Sequence, residues 1–170
     1  MMSVMIRPPR WGWAEPRERR RVGPFCFEEP ALLCLALGVL FCADASGWLR
    51  LSLLASLLHE AGHILVYRLL TGRAPRIRVS ALGMCLYAAG DGLPPGKTAV
   101  LAAAGPAANL LAAGGCFAAA GHSGAVLRLA FGTANLLIGG FNLLPVPPLD
   151  GSVLAGWAAG RIRKLQLHGK

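Results

Sequence analysis

The stretch Trp48–Tyr67 reads WLRLSLLASLLHEAGHILVY, an apolar run that contains His59, Glu60 and His63. If the run is a helix, His59 and His63 share one face, so their imidazoles can bind one metal ion together. Glu60 directly follows the first histidine, where a carboxylate can reach a water at the metal without being a ligand. These three side chains are costly in a lipid-buried helix unless they pair, bind metal or face water. The stretch therefore predicts a metal site within a membrane helix.

A structural alternative is that the two histidines are hydrogen-bonded in a helical core without any metal. That arrangement does not explain why a carboxylate joins them in an apolar setting. The pattern H-E-x-x-H should arise by chance in only about 0.3% of chains of this composition. We therefore favour the metal site.

Composition indicates a membrane protein, because 55% of the residues are hydrophobic, only 15% are charged and the mean hydropathy is +0.53. Four apolar stretches stand out: Ala31–Ala43, Trp48–Leu70, Thr98–Ala120 and Ala125–Leu144. The last three are long enough to cross a bilayer as helices, whereas the first is short for this. We predict an all-α polytopic membrane protein with about four transmembrane segments.

The net charge of +9 follows the pattern of membrane topology. With four spans, only Arg50 and Arg128 lie on the side opposite the termini, and the other basic residues lie on the side of the termini. Positive charge accumulates on the cytoplasmic side, so both termini are expected in the cytoplasm. These flanks suit the headgroups of a lipid bilayer. The chain lacks a basic groove with interleaved aromatics, so nucleic-acid binding is not expected.

The sequence predicts one core with a polar segment at each end of the chain. Residues 1–24, rich in Arg and Pro, are predicted to be a disordered cytoplasmic tail, residues 25–160 the core, and residues 161–170 a basic cytoplasmic tail. The N-terminal region also imitates a signal peptide that ends at Ala43-Asp44-Ala45. Its charged leader is long for that function, so we favour an uncleaved segment.

A second informative segment runs from Phe141 to Gly151 and contains three prolines in four residues. Prolines cannot continue a helix, so the fourth span should unwind near its cytoplasmic end. Irregular backbone at membrane depth is tolerated only where protein or a water-filled cavity covers it. Asp150 follows this break and is the best candidate for a third zinc ligand, since Asp44 lies near the opposite face and Asp91 in a Gly/Pro-rich loop. The alternative is that Asp150 caps a short helix beginning at Gly151.

The segment Arg76–Tyr87, between the second and third spans, begins with alternating charged and β-branched residues. This alternation predicts a small membrane-associated strand or hairpin. An exposed strand edge near the metal site is suited to bind an extended peptide by β-augmentation. A plain connecting hairpin is an equally good interpretation.

Three patterns together resemble the site-2 protease family of intramembrane zinc metalloproteases. They are H-E-x-G-H at residues 59–63, N-x-x-P-x-x-P-L-D-G at residues 142–151, and G-P-x-x-N at residues 105–109. The resemblance covers roughly residues 25–155, in the right order and spacing. It implies zinc held by His59, His63 and Asp150, with Glu60 as general base. It also implies that Asn142 positions the substrate or the transition state.

The resemblance also implies a setting in the cell. The compact core is most similar to the branch that includes the stage IV sporulation protease, which suggests the bacterial cytoplasmic membrane. Expected partners are a transmembrane protein or peptide as substrate, and either a second copy of the chain or a regulatory membrane protein. Ser152 departs from the family pattern, because a second glycine often stands there. The pattern Gly105-Pro106 has a simpler interpretation as a packing or kink element, since both residues are common in membrane helices.

The predicted function is intramembrane proteolysis, with regulatory membrane proteins or leftover signal peptides as substrates. One alternative is a catalytically inactive relative that acts as a membrane scaffold or binding partner, although such a chain should have lost some of His59, Glu60, His63 and Asp150. Another is a small metal transporter. A transporter needs further ligands across the bilayer, and only His122 and His168 remain among the histidines.

Overall fold

The computed structural model describes residues 19–22, 25–80, 83–87, 93–119 and 125–168. Within these ranges the chain forms five helices and four short strands. The helices are α1 (Pro30–Ala43), α2 (Trp48–Thr71), α3 (Pro95–Ala118), α4 (Ala125–Asn142) and α5 (Asp150–His168). The strands are β1 (Arg19–Val22), β2 (Phe25–Glu28), β3 (Arg76–Ser80) and β4 (Gly83–Tyr87). The mostly helical class predicted from the sequence is confirmed.

Helices α2, α3 and α4 pack against one another and form the bundle that positions the site. Small residues make the close approach possible. A Cβ added at Gly62 would lie 2.6 Å from the carbonyl oxygen of Ala104, and one added at Gly139 would lie 3.0 Å from the Cβ of Asn109. Such contacts let helix backbones approach closely, as in other membrane bundles. The glycine of the H-E-x-G-H pattern therefore serves the α2–α3 interface.

Two of the helices in the described part of the chain, α2 and α3, are long and apolar enough to cross a membrane. Helix α1 is apolar but has only 14 residues, contains no buried residue and packs weakly against α2. Helix α4 has 18 residues and carries Arg128, Asn135 and Asn142. These features support a membrane protein, while the prediction of four spans stays a prediction.

The strands form one sheet in the order β1-β2-β3-β4. The β3–β4 hairpin, with Arg76 opposite Tyr87, lies between α2 and α3 where the sequence predicted a strand or hairpin. Strand β2 runs parallel to β3, and β1 pairs antiparallel with β2. Residues Arg19–Val22 of the predicted tail pair with β2 in the structure, while the disordered tail as a whole stays a prediction. The rest of residues 1–24 lies outside the described ranges.

The predicted break after the fourth span is confirmed, since α4 ends at Asn142 and α5 begins at Asp150. The intervening residues form turns that include a cis Pro147–Pro148 bond. A Cβ added at Gly151 would collide with the carbonyl oxygens of Leu143 and Leu144, so a glycine is required where the chain doubles back. Helix α5 then packs against α3 and continues through the predicted tail boundary at residue 160.

Candidate metal centre

His59 and His63 project from one face of α2 into the interior of the bundle. Each is only 1% exposed, and their Nε2 atoms lie 3.1 Å apart. The two rings meet edge to face at an interplanar angle of 76°. The helical spacing of four residues therefore brings the two nitrogens together as the sequence predicted.

Asp150 reaches the same point from the start of α5 and is completely buried. Its Oδ2 lies 3.0 Å from Nε2 of His59 and 3.2 Å from Nε2 of His63. Tetrahedral zinc with bonds of about 2.0–2.1 Å would hold its ligand atoms about 3.3 Å apart. The triangle of two nitrogens and one oxygen has nearly this size.

The hydrogen bonds on the far side of each ring fix which nitrogen carries a proton. Nδ1 of His63 lies 2.8 Å from the carbonyl oxygen of Leu101, which can only accept. Nδ1 of His59 lies 2.7 Å from Oδ1 of Asn109. Both Nδ1 atoms therefore donate, and both Nε2 atoms keep a lone pair.

The assembled site has more hydrogen-bond acceptors than donors. Two imidazole lone pairs and a carboxylate oxygen converge within 3.2 Å, while Oδ1 of Asp150 is buried without a hydrogen-bond partner. One proton could bridge a single pair of these atoms and would leave the other nitrogen facing an acceptor. A divalent cation satisfies all three at once, so the donor set fits a metal better than a hydrogen-bonded core.

The capping alternative for Asp150 is not supported by its hydrogen bonds. Oδ2 is directed at the two histidines, and Oδ1 has no partner. Ser152 bonds back to the carbonyl oxygen of Leu149 through both its backbone nitrogen and its hydroxyl. The carboxylate of Asp150 is therefore available as a ligand.

Glu60 lies beside the triangle and is only 3% exposed. Its carboxylate belongs to a group with His59 and His63 in which the potential ligand atoms all lie within 4.8 Å of one another. This group can bind a metal. Oδ2 of Asp150 lies within 3.2 Å of both Nε2 atoms, and the role of Glu60 as general base stays a prediction.

Gly105 of α3 forms the wall behind the two histidines. A Cβ added there would lie 2.5 Å from Nε2 of His59 and would collide with Nε2 of His63. The packing interpretation of the Gly105-Pro106 pair is therefore confirmed for Gly105. No residue larger than glycine fits without displacing the imidazoles.

A cleft of about 700 Å³ leads to the site between α2 and α4. Ser56 and His59 line one side, and a segment of α4 that ends at Phe141 and Asn142 lines the other. Asn142 donates from Nδ2 to the carbonyl oxygen of Ile138 at 2.9 Å, while its Oδ1 is buried without a partner. The predicted substrate-positioning residue thus shares a cleft with the first histidine.

Two buried amides, Asn109 and Asn135, belong to the hydrogen-bond network of the site. From the sequence, Asn109 is singled out only within the G-P-x-x-N pattern, and Asn135 is not singled out. Both are 0% exposed. Their signal was available, because an amide in an apolar membrane helix is costly unless it is hydrogen-bonded to protein.

Of the two competing carboxylates, the described one, Asp44, does not enter the site. Asp44 bonds instead to the backbone nitrogen of Arg50, at the start of α2. Asp91 and His122 lie outside the described residues, and the side chain of His168 is not described.

None of the protein-family models and none of the curated proteins matches this chain. Among solved structures, the chain is similar to the Site-2 Protease from Methanocaldococcus jannaschii, with a TM-score of 0.57 and 21% sequence identity. The similarity covers 81% of this chain and 69% of that protein. At this identity the comparison shows a shared fold.

Proposed function

We propose that this chain is an intramembrane zinc metalloprotease that hydrolyses peptide bonds of membrane-anchored proteins. The observation that carries the proposal is the convergence of His59 Nε2, His63 Nε2 and Asp150 Oδ2 within 3.2 Å inside an apolar bundle. The fold shared with a site-2 protease supports it.

In this proposal His59, His63 and Asp150 hold one zinc ion and leave a fourth position for water or substrate. When bound, zinc supplies Lewis acidity that polarises a peptide carbonyl and lowers the pKa of water to about 7. The protein supplies the tautomers of the two histidines, through the carbonyl oxygen of Leu101 and the amide of Asn109.

Glu60 is the proposed general base. It follows the first ligand in the chain, it is buried, and its carboxylate lies near both imidazoles. From this position it would accept the proton of the attacking water and pass it to the departing amine.

The cleft between α2 and α4 is the proposed binding site for the scissile segment. Its volume of about 700 Å³ and its mostly apolar lining suit a short, unwound piece of a membrane helix. Asn142 uses one N–H of its amide for the carbonyl oxygen of Ile138. The second N–H is therefore available to donate to the oxygen of the scissile carbonyl.

We further propose four membrane segments with both termini in the cytoplasm, in a bacterial cytoplasmic membrane. The distribution of basic residues supports the orientation. Water would reach the site along the turns at residues 143–149, where the backbone is irregular. Strand β4, at the edge of the sheet and in contact with α2, is suited to hold the unwound substrate by backbone pairing.

The scaffold alternative is less well supported. An inactive relative would not need to keep two histidines, a neighbouring carboxylate and Asp150 in one buried site. A transporter would need a series of ligand sites, whereas the described residues contain a single group of His, Cys, Asp or Glu side chains with the spacing of a metal site. Catalysis therefore explains more of the site than either alternative.

The test is to measure the zinc content of the full-length protein in detergent together with cleavage of a panel of membrane-anchored peptides. We expect about one zinc per chain. Cleavage should stop when a chelator removes the metal and return when zinc is added. Protein that binds no zinc, or that binds zinc and these peptides without cleaving any, would contradict the proposal.

A further inference from the structure

We infer that Asn135 of α4 is a positioning residue for His59, acting through the side chain of Asn109. The inference rests on the proposed function, because it concerns the metal site. Asn135 itself contacts neither a ligand atom of the triangle nor the cleft. Its effect is to set the direction of one amide and, through that amide, the tautomer of one histidine.

The first step is the fixed orientation of Asn135, which is completely buried. Its Nδ2 donates to the carbonyl oxygen of Phe131 at 2.9 Å, one turn earlier in α4. This leaves Oδ1 directed at Asn109, from whose Nδ2 it accepts a hydrogen bond of 2.7 Å. Rotating the Asn135 amide by 180° would place two oxygens against each other at one end and two nitrogens at the other.

The second step is the orientation of Asn109, whose amide oxygen and nitrogen have nearly the same shape. Its Nδ2 donates to two acceptors, the carbonyl oxygen of Ala55 at 2.9 Å and Oδ1 of Asn135 at 2.7 Å. Two acceptors on one side leave only one orientation, with Oδ1 facing His59 at 2.7 Å. The carbonyl oxygen of Ala55 is part of the backbone of α2. The side chain of Asn135 is therefore the acceptor whose role is to orient the Asn109 amide.

The third step is the effect on the metal site. With Oδ1 of Asn109 as acceptor, His59 carries its proton on Nδ1 and presents the Nε2 lone pair to the metal. With the amide reversed, an N–H would face Nδ1, and the proton would move to Nε2, where a metal must bind. Asn135 therefore disfavours the tautomer that cannot ligate.

The two histidines differ in this respect, which makes the inference specific. Nδ1 of His63 is held by the backbone carbonyl of Leu101, which cannot rotate as a side-chain amide can. Only the tautomer of His59 depends on side chains of other helices. Loss of Asn135 should thus weaken one ligand of three and leave the other two unchanged.

The experiment compares the wild type with Asn135→Leu in the full-length protein, with metal affinity as the readout. Zinc dissociation constants are measured by chelator competition, and the absorption spectrum of the cobalt-substituted protein reports ligand geometry. We expect Asn135→Leu to bind metal about 10–100-fold more weakly, as is typical when a hydrogen-bond partner of a metal-binding histidine is lost. Asn135→Asp, which keeps an oxygen to accept the hydrogen bond from Nδ2 of Asn109, should bind within a few-fold of the wild type.

Asn142→Leu is the matched control for metal affinity. Asn142 also lies on α4 and also donates to the carbonyl four residues earlier, but the carbonyl is that of Ile138 and the amide makes no bond to Asn109. Its substitution should leave the metal dissociation constant unchanged. Equal metal loss in Asn135→Leu and Asn142→Leu would mean that any damage to α4 weakens the site, and would overturn the inference.

A double variant separates positioning from general support of the fold. If Asn135 acts through Asn109, the variant Asn109→Ala, Asn135→Leu should bind metal no more weakly than Asn109→Ala alone. The inference would be overturned if the two substitutions together weakened metal binding by the product of their separate effects. A wild-type dissociation constant in Asn135→Leu would also overturn it. A wild type that binds no metal would instead contradict the proposed function, so the two failures are distinguishable without a proteolysis assay.

Discussion

Nε2 of His59 and Oδ2 of Asp150 lie 3.0 Å apart although 91 residues separate them in the chain. The contact joins a helix near the middle of the sequence to the start of the last helix. Neither sequence pattern makes the proposed metal site alone, because the histidines would supply two ligands and the residue after the proline-rich turn would supply the third.

The Asp150→Ala variant should lose zinc and proteolysis together. The substitution removes one of the three proposed ligands, a carboxylate whose Oδ2 lies within 3.2 Å of both Nε2 atoms. Zinc content and cleavage are measured on the same preparation. Asp44→Ala is the control, because Asp44 is also buried but bonds to Arg50 instead of the histidines. Zinc that stays bound in Asp150→Ala would exclude Asp150 as a ligand.

The Glu60→Gln variant should keep its zinc and its fold but lose cleavage. The amide has nearly the same size as the carboxylate and cannot accept the proton of the attacking water. The expected loss in rate is about 10²–10⁴-fold, the usual contribution of a positioned general base. Zinc content, thermal unfolding and cleavage of one validated substrate are compared with the wild type. Equal cleavage rates would remove Glu60 from the mechanism.

The Gly105→Ala variant should bind zinc poorly because the new methyl group would occupy the space of both Nε2 atoms. Overpacking of this kind typically costs about 1–3 kcal/mol. Here we expect it to displace the imidazoles of His59 and His63. Gly114→Ala is the matched control on the same helix, since a Cβ at Gly114 meets nothing within 4 Å. Chelator competition measures both affinities. A normal affinity in Gly105→Ala would show that α3 does not confine the imidazoles.

The Gly140→Leu variant should fill part of the cleft and raise KM for membrane-anchored substrates. Gly140 lines the cleft, and a Cβ there meets nothing within 4 Å, so the side chain fits without disturbing the helix. Zinc affinity should stay at the wild-type value. Gly38→Leu, at another open position on α1, is the control for added bulk. If Gly140→Leu cleaves all substrates normally, the scissile segment binds elsewhere.

Asp44 should make the unfolding of the protein pH-dependent. Burial opposes its ionisation, but hydrogen bonds from the backbone nitrogens of Arg50 and Leu49 outweigh burial and lower its pKa below the ordinary value of 3.8. A lowered pKa contributes stability above the unfolded value, and this stability is lost as the pH falls through the folded value. The unfolding temperature should therefore fall less steeply between pH 6 and pH 3 in Asp44→Asn than in the wild type. The same dependence of unfolding temperature on pH in both proteins would contradict this prediction.

Much of the fold follows from local sequence. Continuous apolar runs predicted α2 and α3, a short alternation predicted the β3–β4 hairpin, and prolines predicted the end of α4. Each of these signals lies within the segment that it describes. The pair of strands β1 and β2 was missed because it is stabilised by parallel pairing with β3, which lies beyond two helices in the chain.

In the candidate site, too, local signals could be predicted from the sequence and contacts between distant segments could not. His59 and His63 could be predicted because a helix brings residues four apart together. Asp150 had two interpretations, since its chain neighbours do not say whether the carboxylate turns towards its own helix or towards α2. The only local signal of Asn135 is that it is an amide in an apolar helix, and its bond to Asn109 becomes apparent only when the helices are packed side by side.

Helix α4 contributes both the amide that holds Asn109 and one wall of the cleft. Any ligand that displaces this helix on entering the cleft must therefore change the energy of the bonds around His59. Thermodynamic reciprocity then requires that zinc and substrate alter each other's affinity by the same factor. If the chain binds zinc and a substrate as proposed, its measured zinc affinity would then depend on whether a substrate occupies the cleft.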